Sequence, residues 1–339
     1  MSITNLPSVA FRAARPNISR QVRCSSSSSG GHPTNPAGAA RDYKVALVTG
    51  GNTGIGFITA QSLAEKGYYV VLGCRNKDKA EAARDRIKAA VPGNRGVEVA
   101  TFDLADLSSV QAWATRARDF GLSLDLLVNN AGVMATPAMK TQDGFEYQLG
   151  VNHMGHFLLT NMLLPLMTSP ERPSRIVNVS SAAHMFGHMN FDDLQSTENY
   201  DAWRSYGQSK LANVLFTYEL NKRLPAGSNT TVNTLHPGVV NTELGRYLLP
   251  EKPAWWQMPV LNVLKAFTLT PEQGAATSIY LASSPEVEGV SGKYFDKCKP
   301  VVSSKESYDA EVATKLWNTS AELIEGALGG AVVADLMTV

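Results

Sequence analysis

A phenol and an ammonium four residues apart, in Tyr206-Gly-Gln-Ser-Lys210, make a pair that could move a proton. On a helix, positions i and i+4 share a face, so the two groups come near one another. A free phenol, with a pKa of about 10, is a poor base at neutral pH. A neighbouring positive charge favours the phenolate and brings proton transfer within reach. Y-x-x-x-K also arises by chance, so the pair takes its meaning from its company. Upstream, Arg175-Ile-Val-Asn-Val-Ser-Ser181 reads as a strand that ends in two hydroxyls. Asn129-Asn130-Ala131-Gly132 and Leu149-Gly-Val-Asn152 come before it, and His236-Pro-Gly-Val-Val-Asn-Thr242 follows.

These residues need a scaffold, and it begins at Lys44-Val-Ala-Leu-Val-Thr-Gly-Gly-Asn-Thr-Gly-Ile-Gly56. Val45 to Val48 is a short, continuously apolar run, the mark of a strand buried on both faces of a parallel sheet. Glycines then lead into an apolar helix. Such a turn suits a pyrophosphate: backbone N–H groups point outward, the helix dipole favours negative charge, and missing Cβ atoms let a ligand come close. Further strands are predicted over 69–73, 96–102, 124–128, 175–179, 230–235 and 292–295. Helices are predicted over 77–90, 107–120, 144–167, 200–224 and 271–282. The alternation predicts an α/β fold, a Rossmann-type doubly wound parallel sheet of about seven strands with helices on both faces. Ligand then belongs at the carboxyl ends of the strands. This domain spans 42–300, with a helix near 310–325 and a tail in 301–339.

The glycine spacing is T-G-x-x-x-G-x-G, with Gly50, Gly54 and Gly56. With the motifs above, in that order, it resembles the short-chain dehydrogenase/reductase family from Tyr43 to about Phe295. The resemblance implies Tyr206 as general acid/base, with Lys210 lowering its pKa and holding the nicotinamide ribose. It implies a proton-relay position for Asn152. The second hydroxyl of the Ser180-Ser181 pair matches the family's carbonyl-polarising serine, so Ser181 is chosen and Ser180 competes. The separation of Ser181 from Tyr206 is wider than in the smallest members and resembles the retinol-dehydrogenase-like branch.

Cofactor contacts follow from the same match: Gly50, Asn52, Thr53, Gly54, Ile55 and Gly56 at the pyrophosphate, and Asp103 and Leu104 at adenine. Asn130, Ala131 and Gly132 support the cofactor, with Tyr206 and Lys210, while Pro237, Gly238, Val239 and Thr242 hold the nicotinamide. After the second strand, an acid would bind the ribose 2′-OH of NAD. Gly73-Cys74-Arg75-Asn76 stands there instead, and a guanidinium fork suits a 2′-phosphate. NADP(H) is therefore expected at Arg75 and Asn76, although Phe57 follows Gly56 where many NADP-preferring relatives place a second base.

The apolar stretch 243–269, with Leu248, Trp255, Trp256 and Phe267, reads either as a lid over a lipophilic carbonyl or alcohol or as ordinary helix packing. Trp255-Trp256 also suggests peripheral membrane contact. His184 and His188 have no acidic companion, so no metal is expected. His153 and His156 read as structural.

Residues 1–41 contain Arg12, Arg15, Arg20, Arg23 and Arg41, the serine run 25–29, and no Asp or Glu. This resembles a transit peptide cleaved near Cys24, and a chloroplast or other plastid is the expected location. Cleavage there would remove four arginines and turn the formal charge of +1 negative. No nucleic-acid partner is suggested. Three cysteines without C-x-x-C support neither a disulfide framework nor zinc. Two other readings stay open: a protochlorophyllide-reductase-like enzyme, and an NADP-sensing component of a plastid envelope assembly.

Overall fold

The computed structural model describes residues 42–240 and 269–329 of the 339. Thr242, the apolar stretch up to 268 and the N-terminal 1–41 lie outside the described residues.

Eight strands form one sheet in the order β3-β2-β1-β4-β5-β6-β7-β8. They are β1 (Val45–Thr49), β2 (Tyr69–Cys74), β3 (Val97–Thr101), β4 (Leu126–Asn129), β5 (Ser174–Val179), β6 (Thr230–His236), β7 (Tyr294–Asp296) and β8 (Lys299–Val301). β1 and β2 are buried throughout, as apolar runs covered on both faces must be. All neighbours pair in parallel except β7 and β8. The strand order reverses between β1 and β4, so a crevice opens at the carboxyl ends there.

The sheet has one strand more than the seven expected. β8 is short, exposed and without an apolar run, so it leaves no period to read. Its hairpin turns through Lys297 and Cys298, with φ of 49° and 60°. Both central residues of a tight hairpin turn prefer such angles, but Gly and Asn are their usual signals. Lys-Cys gives none.

One face of the sheet carries α1 (Gly54–Glu65), α2 (Lys77–Ala90) and α7 (Pro271–Ser283). Ala80, Ala83 and Ile87 are the buried stripe of otherwise charged α2. The other face carries α3 (Leu107–Asp119), α5 (Gly155–Leu163), α6 (Ala202–Arg223) and α8 (Ala310–Leu328). Starts are set by side-chain caps: Asn76 to Lys79 N, Asp106 to Ser109 N, Asp201 to Arg204 N, and a Thr270/Gln273 capping box.

The helix expected over 144–167 is subdivided. A short α4 (Tyr147–Leu149), capped by Glu146, runs into a π-helical turn over Gly150–Met154 and then α5. Asn152 sits in that wider turn, a feature that tends to mark functional positions. α8 packs Trp317 edge-on against Phe157, at 4.9 Å, and stacked on Phe216, at 5.7 Å. The C-terminal helix thereby belongs to the same apolar core as α5 and α6.

Candidate active site

β1 delivers Thr49 to the crevice, and the chain then turns through Gly50 and Gly54 with φ of 66° and 55°. A Cβ on Gly56 would lie 2.4 Å from Asn130 Nδ2 and from the Gly50 carbonyl oxygen. Only glycine permits that approach. The helix that follows has no side-chain cap at Thr53 and no acid in its first turn, so its leading N–H groups remain available to an anion. The Thr49 hydroxyl accepts from Asn130 N and Ala131 N, and Asn130 Nδ2 donates back to the Thr49 carbonyl. The glycine turn and the loop after β4 are thus locked to one another.

A cleft of about 580 Å³ runs from this turn across the sheet ends, within the usual size of a ligand pocket. Every expected cofactor contact among the described residues lines it, from Gly50 and Asn52 to Gly56 through Arg75, Asn76, Asp103, Leu104 and Asn130 to Gly132, to Pro237, Gly238 and Val239. Ser181, Tyr206 and Lys210 line its other end.

Lys210 Nζ donates to the Val179 carbonyl at 3.2 Å and stands 5.8 Å from the centre of the Tyr206 ring. Among the described residues its other two N–H bonds meet no hydrogen-bond acceptor. Burial pushes the Lys210 ammonium down to about 8. Burial also pushes the Tyr206 phenol up to about 12, with the Ser181 hydroxyl acting in the opposite direction. Loss of hydration is the larger influence on the phenol, ahead of the lowering by Ser181.

The two serines part company. Ser180 is buried and its hydroxyl donates to the Lys210 carbonyl at 2.7 Å. Ser181 opens onto the cleft, faces Tyr206, and caps the following turn by accepting from Ala183 N. Asn152 lies behind the cleft wall. Its Oδ1 accepts from Val133 N, and its Nδ2 donates to the Val133 carbonyl and to Ser209 Oγ, which in turn donates to the Tyr206 carbonyl. A Cβ on Gly132 would meet both Asn152 Oδ1, at 3.1 Å, and Lys210 Nζ, at 3.4 Å.

At the adenosine end, Arg75 Nη1 donates to the Tyr147 hydroxyl and lies 3.8 Å from Asp103. Lys79, one turn into α2, lines the same end. It was missed in the sequence, although its spacing of four from Arg75 is a legible signal. Trp203, edge-on to Tyr206 at 6.2 Å, and exposed Phe186 line the substrate end; neither belongs to a motif. His156 is structural in a definite way. Its Nε2 lies 2.9 Å from the Thr49 hydroxyl and its Nδ1 3.1 Å from the Asn152 carbonyl. Among the described residues no cluster of His, Cys, Asp and Glu could hold a metal, and no helix is long and apolar enough to cross a membrane.

Comparison with known proteins gives concordant findings. The short chain dehydrogenase family model matches residues 44–253. Human retinol dehydrogenase 14 is 48% identical over 295 residues, which cover 83% of this chain and 86% of that protein. Human polyprenol dehydrogenase is 41% identical over 294 residues, covering 85% and 87%. Among solved structures, an uncharacterised protein from Mycobacterium paratuberculosis superposes with a TM-score of 0.66 at 36% identity, covering 83% of this chain and 93% of that one.

Proposed function

Because this chain belongs to the short-chain dehydrogenase family, we propose that it is an NADP(H)-dependent oxidoreductase for a lipophilic carbonyl or alcohol. The coarser part is family property: an oxidoreductase that uses a nicotinamide cofactor and moves hydride to or from an alcohol or carbonyl carbon. The observation that carries the finer reading is the convergence of Ser181, Tyr206 and Lys210 at one end of a glycine-walled cleft.

The residues fit a dinucleotide. The uncapped α1 N-terminus and the Gly56 approach suit the pyrophosphate, and Lys210 has N–H donors to spare for a ribose. When bound, the nicotinamide supplies or accepts the hydride. Tyr206, with its pKa pushed up to about 12, holds its proton at neutral pH and can give it to a carbonyl oxygen as the carbon is reduced. In the reverse direction it is the phenolate, favoured by the Lys210 charge beside it, that receives the alcohol proton. Ser181 donates a hydrogen bond to the same oxygen, where negative charge develops. Lys210 would hold the ribose, and it adds positive charge beside the phenolate left after transfer. Asn152 fixes Val133 and, through Ser209, the turn of α6 that carries Tyr206.

Arg75 and Lys79, two cations that line the cleft after β2 with no acid at that strand's end, support NADP over NAD. A lipophilic substrate is supported by Trp203, Phe186 and exposed Val239 at the open end, and by relatives named for retinol and polyprenol. The test is a spectrophotometric screen of purified protein with NADPH and with NADH against long-chain aldehydes, retinal, ketones and quinones. Turnover with NADPH and a lipophilic carbonyl is expected. Turnover with no carbonyl and no alcohol would reject the reading.

A plastid location is part of the proposal, supported by the acid-free, Arg- and Ser-rich residues 1–41. A fluorescent fusion of those residues should enter plastids, and cytosolic or mitochondrial fluorescence would refute it.

A further inference from the structure

We propose that His184, a residue outside the cleft, is the positioning residue for Ser181, tying the substrate-facing hydroxyl to the chain beyond β8. This rests on the reading that Ser181 meets the substrate oxygen.

His184 is 1% exposed. Its Nδ1 lies 2.6 Å from the Ser181 carbonyl, and its Nε2 accepts from the backbone N–H of Ser304 at 3.2 Å. A carbonyl can only accept and a backbone N–H can only donate, so the ring must be neutral with its proton on Nδ1. That is the less common tautomer of a free imidazole, imposed here from both sides. Burial holds the ring below its ordinary pKa, which keeps it neutral. Tyr294 of β7 covers the ring, at 4.6 Å between centroids.

The grip matters because the other bonds on Ser181 stay within its own turn: its hydroxyl accepts from Ala183 N, and its carbonyl accepts from the His184 backbone N–H at 3.1 Å. It lies two residues beyond Val179, the last residue of β5, where the ladder has ended. The turn 181–184 is fastened from the other side by His236, whose Nδ1 accepts from Ala182 N. Glu306 extends the clasp, accepting from Met189 N and pairing with His188 at 2.9 Å. The chain after β8, remote in sequence, is thereby a brace for the serine turn, and His184 is the point of contact nearest Ser181.

Two arms test this on the full chain. In the first, nitrogen-15 spectra of the imidazoles need no substrate. His184 should show a proton on Nδ1 and a bare Nε2. Ser304→Pro, at a φ of −59° that proline already favours, puts a ring methylene where the donating N–H was and removes a hydroxyl that has no hydrogen-bond partner; it should release the ring to the Nε2–H form. An Nε2–H ring in the unaltered protein would overturn the proposal.

The second arm is a kinetic cycle with the carbonyl found in the screen. His184→Phe should lower kcat roughly 10- to 100-fold, as expected for a displaced reacting group, with NADPH affinity unchanged. His184→Asn, which keeps a donor near the Nδ1 position, should recover most of it. In a Ser181→Ala background His184→Phe should cost at most about twofold. Equal losses in both backgrounds, with Ser181→Ala itself damaging, would overturn the positioning role alone. A harmless Ser181→Ala would instead reject the underlying reading of the serine, and this proposal with it.

Discussion

Lys210 Nζ stands 5.8 Å from the centre of the Tyr206 ring, one turn further along α6, with both side chains 3% exposed. The same burial drives both groups toward neutrality. The phenol keeps its proton more firmly and the ammonium loses its own more readily.

Lys210 gives a pH prediction with opposite signs for stability and activity. Unfolded, the ammonium holds its proton up to an ordinary 10.5; folded, it releases it above about 8. Between those values the unfolded chain binds more protons, so stability rises with pH. The effect should be visible between about 8 and 9, before Cys74, raised from 9.0 to about 11, opposes it. Turnover should fall across the same window as the charge beside Tyr206 is lost. Urea melts without nucleotide, beside initial rates, check this. A Lys210→Met variant that keeps the stability slope would reject the assignment.

Tyr206→Phe should abolish turnover while leaving NADPH binding nearly intact, because the ring still packs against Trp203 and only the transferable proton is gone. Fluorescence titration and steady-state rates separate the two. Near-native kcat would end the mechanism.

The serine pair should respond unequally. Ser181→Ala should lose about 10²–10³ in kcat, the usual cost of one preorganised donor to a developing charge. Ser180→Ala removes a bond to the Lys210 carbonyl and should instead cost about 1 kcal/mol of stability, with a smaller effect on kcat. A larger kcat loss at Ser180 would show that the substrate-facing hydroxyl was placed one residue too late.

At the adenosine end, Arg75→Asp should weaken NADPH binding roughly tenfold to a hundredfold and relieve discrimination against NADH. Lys79→Ala should act in the same direction by less, since an exposed ammonium lacks the guanidinium fork. Unchanged NADPH affinity in both variants would mean that neither cation reads a 2′-phosphate.

Trp317→Ala should destabilise the fold by about 3–5 kcal/mol, the range for truncating a large core aromatic. Trp317 is 2% exposed between Phe157 and Phe216. Thermal melts check it, and a loss under 1 kcal/mol would mean α8 is not part of the core.

What the sequence determined by itself is what local spacing dictates. T-G-x-x-x-G-x-G forces a glycine turn into a helix, Y-x-x-x-K puts two groups on one helix face, and apolar runs such as 45–48 must be buried strands. These follow from periods of the backbone and need no knowledge of what packs where. The expected cofactor contacts within the described residues therefore converge on one cleft.

Tertiary structure alone decided the rest, because it depends on which faces meet. Ser180 and Ser181 are chemically alike. Only the approach of α6 turns one toward the Lys210 carbonyl and the other toward Tyr206. The π-helical turn at Asn152 and the β7–β8 hairpin through Lys297 and Cys298 have no periodic signature. Nor does the bond from Ser304 to His184, 120 positions apart. A hydrogen bond between residues so far apart is specified only when the whole sheet has brought both strand ends together, and no spacing within either segment can announce it.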